Sequence, residues 1–304
     1  MTFMRDMYVR HFRGTAIGNL VRRLWYWDWR NSARLTSLSG ATGQASQFWY
    51  RVSYVVRYHW VRAKPGFRWL FESRETSNFT YDLTRRNEEH LAELLAVAVA
   101  RPSSELVGFI RELHQDEAFK KAVIARVKEI GREGGYDPTA KFGRRVGWYA
   151  LVRAMKPKVV IETGVEKGLG AMVLCAALLR NAQEGNPGRY YGTDIDPAAG
   201  MLLVDPYGSM GSVLYGDSIA SLKGLDTEVD IFINDSDHSA AYEAREYLTI
   251  ESKLSKRAVI IADNAHVTNE LLDFSRSSGR HFLFFREEPA EHWYGGAGIG
   301  LSFK

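Results

Sequence analysis

The stretch that decides the fold is Lys158-Val-Val-Ile-Glu162-Thr-Gly164-Val-Glu-Lys-Gly168-Leu-Gly170, with the apolar run 171–179 after it. Residues 159–161 are β-branched, as is typical of a strand buried on both faces of a parallel sheet. The uncharged segment after Gly168 is rich in Ala and Leu and favours a helix. Glycines between the two elements let a ligand approach the backbone at the helix N-terminus. The stretch therefore predicts the strand, ligand loop and helix of an open α/β sheet.

A second sequence motif follows the first at the spacing in residues that is expected of a nucleoside-binding α/β sheet. Tyr190-Tyr-Gly-Thr-Asp194 predicts a strand that ends in an aspartate, 32 positions after Glu162, which suits the hydroxyls of a ribose. Glu162-x-Gly164-x-x-x-Gly168-x-Gly170 with Asp194 resembles the first two motifs of the class I S-adenosylmethionine-dependent methyltransferases. It differs from the Gly-x-Gly-x-x-Gly of dinucleotide enzymes. The alternative interpretation of the glycine loop is a tight strand-to-helix turn that binds no ligand.

The resemblance implies S-adenosylmethionine as the cofactor and assigns residues to it. The loop of Gly164, Gly168 and Gly170 would hold the methionine portion, with Glu162 near its amino group. Asp194 would bind the ribose, and Asp217 with Ser218, after the predicted strand 212–215, would contact the adenine ring. Asp217 and Ser218 are also suited to cap the helix that follows, and the two roles are compatible.

Polar residues follow two further predicted strands. Residues 229–234 run into Asp235, Asp237 and His238, and residues 258–262 run into Asp263, Asn264 and His266. Ligands bind at the carboxyl ends of the strands of an open α/β sheet, so we expect Asp235, Asp263 and Asn264 to meet there. Three oxygen donors without a cysteine suit Mg²⁺, Ca²⁺ or Mn²⁺.

This set resembles the metal triad of the cation-dependent O-methyltransferases, such as the catechol and caffeoyl-CoA enzymes. Asp235-x-Asp237-His238 followed by Tyr242 is similar to the macrocin-type sugar O-methyltransferases. The resemblance covers residues 145–304 and implies a divalent cation, Mg²⁺ first, beside the acceptor. The lysine that is common in the catechol-type enzymes is His238 in this chain, which argues against a phenol acceptor. Alternatively, the polar residues only cap the helices after them.

Methyl transfer to an alcohol requires a group that takes the hydroxyl proton. His238 follows Asp235 by three residues, and an imidazole is mostly neutral and proton-accepting at pH 7. We predict His238 as the catalytic base, with His266 as the rival. Either histidine would instead have a supporting role if it only orients a carboxylate by a hydrogen bond.

The remaining segments complete an α/β architecture. Residues 281–286 and 298–303 predict two strands, which the resemblance makes the antiparallel last hairpin of a seven-stranded Rossmann-like sheet. Helices with apolar faces are predicted to begin at Asn87, at Ser103 or Ser104, at Asp116 and at Arg144. We divide the chain into a basic aromatic extension (1–86), a helical region (87–143) and the methyltransferase domain (144–304). The helical region is a lid or dimer element, or has only a structural role.

Basic and aromatic residues are concentrated at the N-terminus. Residues 1–75 carry 13 Arg or Lys against 4 Asp or Glu, and they hold six of the eight tryptophans: Trp25, Trp27, Trp29, Trp49, Trp60 and Trp69. Such a composition suits an anionic surface, either membrane headgroups or nucleic acid. We favour packing on the main domain or on a second subunit, because Trp25-x-Trp27-x-Trp29 alternates like a strand and no long amphipathic helix is evident. Residues 36–47 are expected to form a flexible loop, and no recognised nucleic-acid motif accompanies the charge.

Composition sets the remaining bounds. With 304 residues, 45% apolar and 25% charged, the chain is expected to be globular, with one large domain and an appendage. Its one cysteine, Cys175, lies in an apolar segment and cannot form an intrachain disulfide. No apolar run reaches about 18 residues, and no signal peptide is evident. A cytoplasmic protein is expected, with peripheral membrane contact and homo-oligomers left open.

The sequence thus predicts a metal-dependent O-methyltransferase that acts on a hydroxyl of a small molecule, either a sugar or a glycosylated metabolite. Fold does not fix chemistry, so a hydroxylase component or a non-methylating binding protein on the same fold is the alternative. A nicotinamide oxidoreductase is a weaker third hypothesis. No nucleic-acid partner is expected.

Overall fold

The structure is a computed structural model of the chain that describes residues 41–131 and 135–304. The chain divides between Leu70 and Phe71 into two units, each described by itself. Helix α1 spans Ala41–Glu72, and its residues 41–70 form the described part of the first unit. Among the described residues, no helix combines the length and apolar character needed to cross a membrane.

Helix α1 contradicts two expectations for the N-terminal region. Residues 41–47 begin a helix instead of a loop, and a long amphipathic helix is present after all. The helical spacing of its apolar residues is interrupted at His59 and at Pro65-Gly66, which hides the period in the sequence. The strand predicted at Trp25 to Trp29 and the first part of the predicted loop, 36–40, lie outside the described residues.

The second unit begins with helices and continues with alternating strands and helices. Before the sheet lie α2 (Arg85–Val99), α3 (Ser103–Gln115), α4 (Glu117–Ile130) and α5 (Arg145–Met155). The first half of the sheet region is β1 (Val159–Thr163), α6 (Leu169–Gln183), β2 (Arg189–Asp194), β3 (Gly211–Tyr215) and α7 (Ser218–Gly224). The second half is β4 (Val229–Asn234), α8 (Ala240–Ile250), β5 (Leu254–Ala262), α9 (Glu270–Ser277), β6 (His281–Arg286) and β7 (Gly298–Phe303).

Helix α2 begins two residues before the predicted start. Its cap is Thr84, whose side chain accepts a hydrogen bond from the amide of Asn87. Asn87 is buried, and its side chain bonds the backbone of Arg286 and Glu288. Asn87, which was predicted to begin the helix, therefore links α2 to the end of β6.

The described part of the chain forms one seven-stranded sheet with the order β3-β2-β1-β4-β5-β7-β6. Strand β1 pairs in parallel with β2 and β4, whereas β7 is antiparallel to β5 and β6. The predicted seven-stranded α/β sheet with an antiparallel last hairpin is confirmed. The strand order reverses at β1, so the carboxyl ends of β1 and β4 border the crevice where this class of sheet binds ligands.

Both faces of the sheet are covered by helices. Val160 packs into a core with α2 to α6, and its neighbours Val159 and Ile161 pack into a second core with α7, α8 and α9. This alternation explains why a strand with no polar residue at 159–161 is stable: each side chain has apolar partners on its own side. Helices α2 to α4 share the first core, and Cys175 is buried in it as predicted.

Candidate active site

A cavity of about 670 Å³ lies at the carboxyl ends of β1, β2 and β4. Its volume falls in the range of small-molecule sites. Six residues proposed from the sequence line it: Gly164, Asp194, Asp217, Ser218, Asp235 and His238. Glu166, Lys167 and Tyr242 also line it, and the sequence analysis had given them no ligand role. The fold therefore brings the predicted ribose, adenine and acceptor positions to one cavity.

Asp194, at the end of β2, shapes the glycine loop. One carboxylate oxygen accepts hydrogen bonds from the amides of Val165 at 3.0 Å and Glu166 at 2.8 Å. The other accepts the amide of Asp196 at 2.9 Å. The same side chain lines the cavity. Asp194 is thus built to hold the loop after β1 in place at the position where a ribose is expected.

Two glycines of the loop are required by close approach. Gly164 has a φ of +82°, and a β-carbon there would collide with the carbonyl oxygen of Asp235. Gly168 has a φ of +96°, and a β-carbon there would lie 2.9 Å from the Cα of Gly200. Gly168 does not line the cavity, so we expect its replacement by valine to weaken the fold as well as the loop. The sequence motif predicts only a ligand contact for Gly168, whereas the structure also shows its close approach to Gly200.

Glu162 lies beneath the cavity, not in its wall. It is 2% exposed and accepts a hydrogen bond of 2.5 Å from the hydroxyl of Tyr190. A β-carbon at Gly170 would collide with the same carboxyl group, so this glycine makes room for Glu162. Burial raises the pKa of Glu162 to about 8. The predicted contact of Glu162 with the amino group of S-adenosylmethionine, the methyl donor, stays a prediction.

Because its pKa is raised, Glu162 lowers the free energy of unfolding by an amount that depends on pH. Between the ordinary glutamate pKa and about 8, the folded chain holds a proton that the unfolded chain releases. Over that window the free energy of unfolding falls as pH rises, by up to about 1.4 kcal/mol per pH unit from this group. We expect Glu162→Gln to remove this slope, as measured by urea unfolding at pH 5.5, 6.5 and 7.5. Equal slopes in the two proteins would contradict the prediction.

Asp217 and Ser218 act as caps and also face the cavity. Asp217 accepts the amide of Ala220 at 2.8 Å and the hydroxyl of Tyr242 at 3.0 Å. The hydroxyl of Ser218 lies 2.8 Å from that of Tyr242 and donates to buried Glu246. The hydrogen bond from Ala220 lowers the pKa of Asp217. The capping and ligand-facing interpretations are therefore geometrically compatible.

Glu246 of α8 supports the floor of the site. Its buried carboxylate accepts hydrogen bonds from side chains on β1, β4, the loop after β4 and the start of α7, namely Thr163, Asn234, Ser236 and Ser218. Burial raises the pKa of Glu246, and the hydrogen bonds from Ser218, Ser236 and Thr163 lower it. One side chain thus holds the loop ends that line the cavity.

Asp263 is paired with an arginine in the described structure. Nε and Nη2 of Arg144 donate to the two carboxylate oxygens of Asp263. Nη1 of Arg144 also donates to the hydroxyl of Tyr81 at 2.9 Å and to Glu287 at 3.4 Å, while Tyr81 donates to Glu287 at 2.5 Å. The side chains of Asp263 and Glu287 are fully buried. The guanidinium of Arg144 therefore hydrogen-bonds to both oxygens of Asp263, a carboxylate that was predicted to bind a metal ion.

As arranged, the three predicted metal ligands do not fit a hard cation. Both oxygens of Asp263 already accept hydrogen bonds from Arg144, and its fully buried side chain does not line the cavity. Burial and the neighbouring Asp263 carboxylate raise the pKa of Asp235 well above its usual range. Among the described residues, no three His, Cys, Asp or Glu side chains are grouped to hold a metal ion.

Asn264 and His238 lie together at the rim. The side-chain nitrogen of Asn264 is 3.0 Å from Nε2 of His238, and His238 is exposed and lines the cavity. Nδ1 of the rival, His266, accepts the amide of Gly298 at 3.2 Å. His266 is therefore tied to β7 and does not line the cavity, so the geometry favours His238 as the group that meets an acceptor.

The buried residues Arg144, Glu287 and Glu246 were not predicted from the sequence to have a role near the site. Arg144 precedes α5 as half of an Arg-Arg pair, and Glu287 follows β6 as half of a Glu-Glu pair. Charged pairs at the ends of apolar elements were the available signal for a buried ion pair. Glu246 had no signal of its own, since an acidic residue on a helix usually faces solvent.

One domain family matches the chain. Residues 161–265, from β1 to just after β5, match the family described as "Methyltransferase domain". Among curated proteins, none matches the chain. The matched residues include the glycine loop, Asp194 and every residue that lines the cavity.

Several solved methyltransferases are similar in structure. The O-methyltransferase TomG from Streptomyces achromogenes, in complex with SAM, is 17% identical, with 62% of this chain and 90% of that chain covered and a TM-score of 0.44. A methyltransferase from Geobacter sulfurreducens is 19% identical, with 60% and 89% covered and a TM-score of 0.45. The O-methyltransferase from Bacillus cereus, in complex with SAH, is 15% identical, with 62% and 92% covered and a TM-score of 0.43.

Proposed function

We propose that this chain, which carries a methyltransferase domain over residues 161–265, transfers the methyl group of S-adenosylmethionine to a hydroxyl oxygen of a small polar molecule. The observation that carries the proposal is the single cavity that joins Asp194 and the glycine loop to His238. One end suits a nucleoside, and the other offers a proton acceptor. The donor supplies the methyl group, and the residues of the chain position it and the acceptor.

The acceptor end favours a polyhydroxylated molecule such as a sugar or a glycosylated metabolite. Asp235, Asp237 and His238 line it, and each offers hydrogen bonds that hydroxyl groups can match. A flat aromatic acceptor would instead leave several of these polar groups without partners, which costs free energy.

His238 is proposed as the base. As the acceptor oxygen bonds to the methyl carbon, the carbon–sulfur bond breaks with its electrons on sulfur, and the hydroxyl proton passes to an imidazole nitrogen of His238. Asn264, 3.0 Å from the ring, would orient it. We expect His238→Ala to lower kcat by about 10²-fold or more, with donor affinity unchanged.

The test of His238 is turnover against pH, with donor affinity measured on the same samples. His266→Ala is the matched control and should keep kcat within a few-fold. If the His238 variant loses less than tenfold, or if its loss follows weaker donor binding, the base lies elsewhere.

The proposal does not include a divalent cation, because Arg144 occupies Asp263. Its fixed positive charge lies where the resemblance had implied a metal. We expect turnover to stay within twofold after exhaustive chelation. We also expect calorimetry with Mn²⁺ to show no site that Asp235→Asn abolishes. Micromolar Mn²⁺ binding that this substitution removes would restore the metal hypothesis.

Detection of S-adenosylhomocysteine tests the function itself. Purified protein, labelled S-adenosylmethionine and pools of sugars and glycosylated metabolites should yield S-adenosylhomocysteine and a labelled product together. A protein that binds the donor and forms neither in any pool would favour the binding-protein or hydroxylase alternative. Binding of NAD in place of the donor would favour the oxidoreductase.

A further inference from the structure

Helix α1 carries a continuous exposed apolar face. Eight large apolar side chains on it are between 49% and 85% exposed: Phe48, Trp49, Val55, Val56, Trp60, Phe67, Leu70 and Phe71. At 100° per residue, all eight project onto one side of the helix, together with Val52 and Ala63. So large an apolar surface on a helix normally has a partner.

Positive charge borders that face. Arg51 projects to one edge of the face, and Lys64, Arg57 and Arg68 project to the other edge and just beyond it. The eight exposed apolar side chains thus form one side of the helix, cations flank that side, and no acidic residue precedes Glu72 in the helix.

We propose that α1 binds the surface of an anionic lipid bilayer. Trp and Phe on one face with Lys and Arg around it is the pattern of helices that lie in the membrane plane, with the apolar side in the headgroup boundary. Arg51 and Lys64 have long side chains that can reach lipid phosphates while their apolar stems stay near the bilayer.

The charge distribution discriminates against other occupants. A second copy of α1 would bring cations to cations along both edges, with no acidic residue to pair with them. Nucleic acid is disfavoured because no recognised nucleic-acid-binding motif accompanies these cations. An anionic lipid surface matches both the apolar face and the cations that flank it.

The test uses the full chain and vesicles of phosphatidylcholine with one quarter phosphatidylglycerol. We expect co-sedimentation with these vesicles, a blue shift of tryptophan fluorescence, and loss of binding with pure phosphatidylcholine. The double substitution Trp60→Ser/Phe67→Ser should weaken binding by more than tenfold. Arg51→Gln/Lys64→Gln should weaken it by about 25-fold at low salt, because each cation near an anionic surface contributes about 1 kcal/mol.

Tyr54→Ser is the matched control, because Tyr54 is exposed on the same helix and projects away from the apolar face. It should bind within twofold of the unaltered protein, and donor affinity should be equal in all variants. No binding to anionic vesicles would overturn the proposal. A concentration-dependent dimer that Trp60→Ser/Phe67→Ser converts to a monomer, without vesicle binding, would assign the face to a second copy instead.

Discussion

Replacing Arg144 with methionine is expected to lower the free energy of unfolding by about 3–5 kcal/mol, the usual cost of breaking a buried ion pair. The substitution keeps most of the side-chain volume and removes the charge. Asp263 and Glu287, both fully buried, would then lose their shared cation. An ionised carboxylate without a partner in such a place is far less favourable than one in water. Urea unfolding followed by circular dichroism measures the effect.

Two comparisons make the Arg144 result specific. Arg86→Met breaks the ion pair with Glu288, whose side chain is 46% exposed, and should leave the free energy of unfolding nearly unchanged, because exposed ion pairs contribute little. Asp263→Asn combined with Arg144→Met should be more stable than Arg144→Met alone, since it removes one unpaired carboxylate. A cost below about 1 kcal/mol for Arg144→Met would show that the guanidinium does not neutralise Asp263.

Predictions that depended on residues adjacent in the chain agree with the structure. The apolar strand 159–161, the glycine loop and the helix after it are present as predicted, and from residue 161 on they lie in the stretch that matches the methyltransferase domain family. Asp194 reached the cavity because parallel pairing of β1 with β2 places their ends side by side. Local pattern and sheet topology together were sufficient for these positions.

The predicted metal ligands show where sequence reasoning ends. The carboxyl ends of β4 and β5 do bring Asp235 and Asp263 to neighbouring loops. The sequence did not reveal that Arg144, 119 positions before Asp263, donates to both oxygens of that carboxylate. Residue type and spacing identify a set of oxygen donors, but a distant cation that the fold brings to them decides what they bind.

Helix α1 was missed for a different reason. Its apolar residues recur at helical spacing, but a proline, a glycine and a histidine interrupt the pattern. Short alternation at Trp25, Trp27 and Trp29 outweighed that weak period in the sequence analysis. A helical projection of residues 48–71 would have separated the cations from the aromatic face without a structure.

Asp194→Ala is expected to weaken donor binding by about a hundredfold. Three backbone amides, of Val165, Glu166 and Asp196, donate to this carboxylate. Each hydrogen bond to a charged group contributes about 1.5–3 kcal/mol, and a loss of about 3 kcal/mol corresponds to roughly a hundredfold in affinity. The substitution would both release the glycine loop and remove the proposed ribose ligand.

Calorimetry with S-adenosylhomocysteine measures the Asp194 effect, well below the melting temperature of each variant. The affinity of Asp194→Asn should lie between that of the unaltered protein and that of Asp194→Ala. The amide oxygen of asparagine still accepts a backbone hydrogen bond, but it lacks the negative charge. Asp226→Ala removes an exposed aspartate that is not part of the cavity lining and should leave affinity unchanged. A folded Asp194→Ala protein that binds the ligand within threefold of the unaltered chain would remove Asp194 from the site. The donor would then depend on the glycine loop and on the cavity wall formed by Asp217 and Ser218.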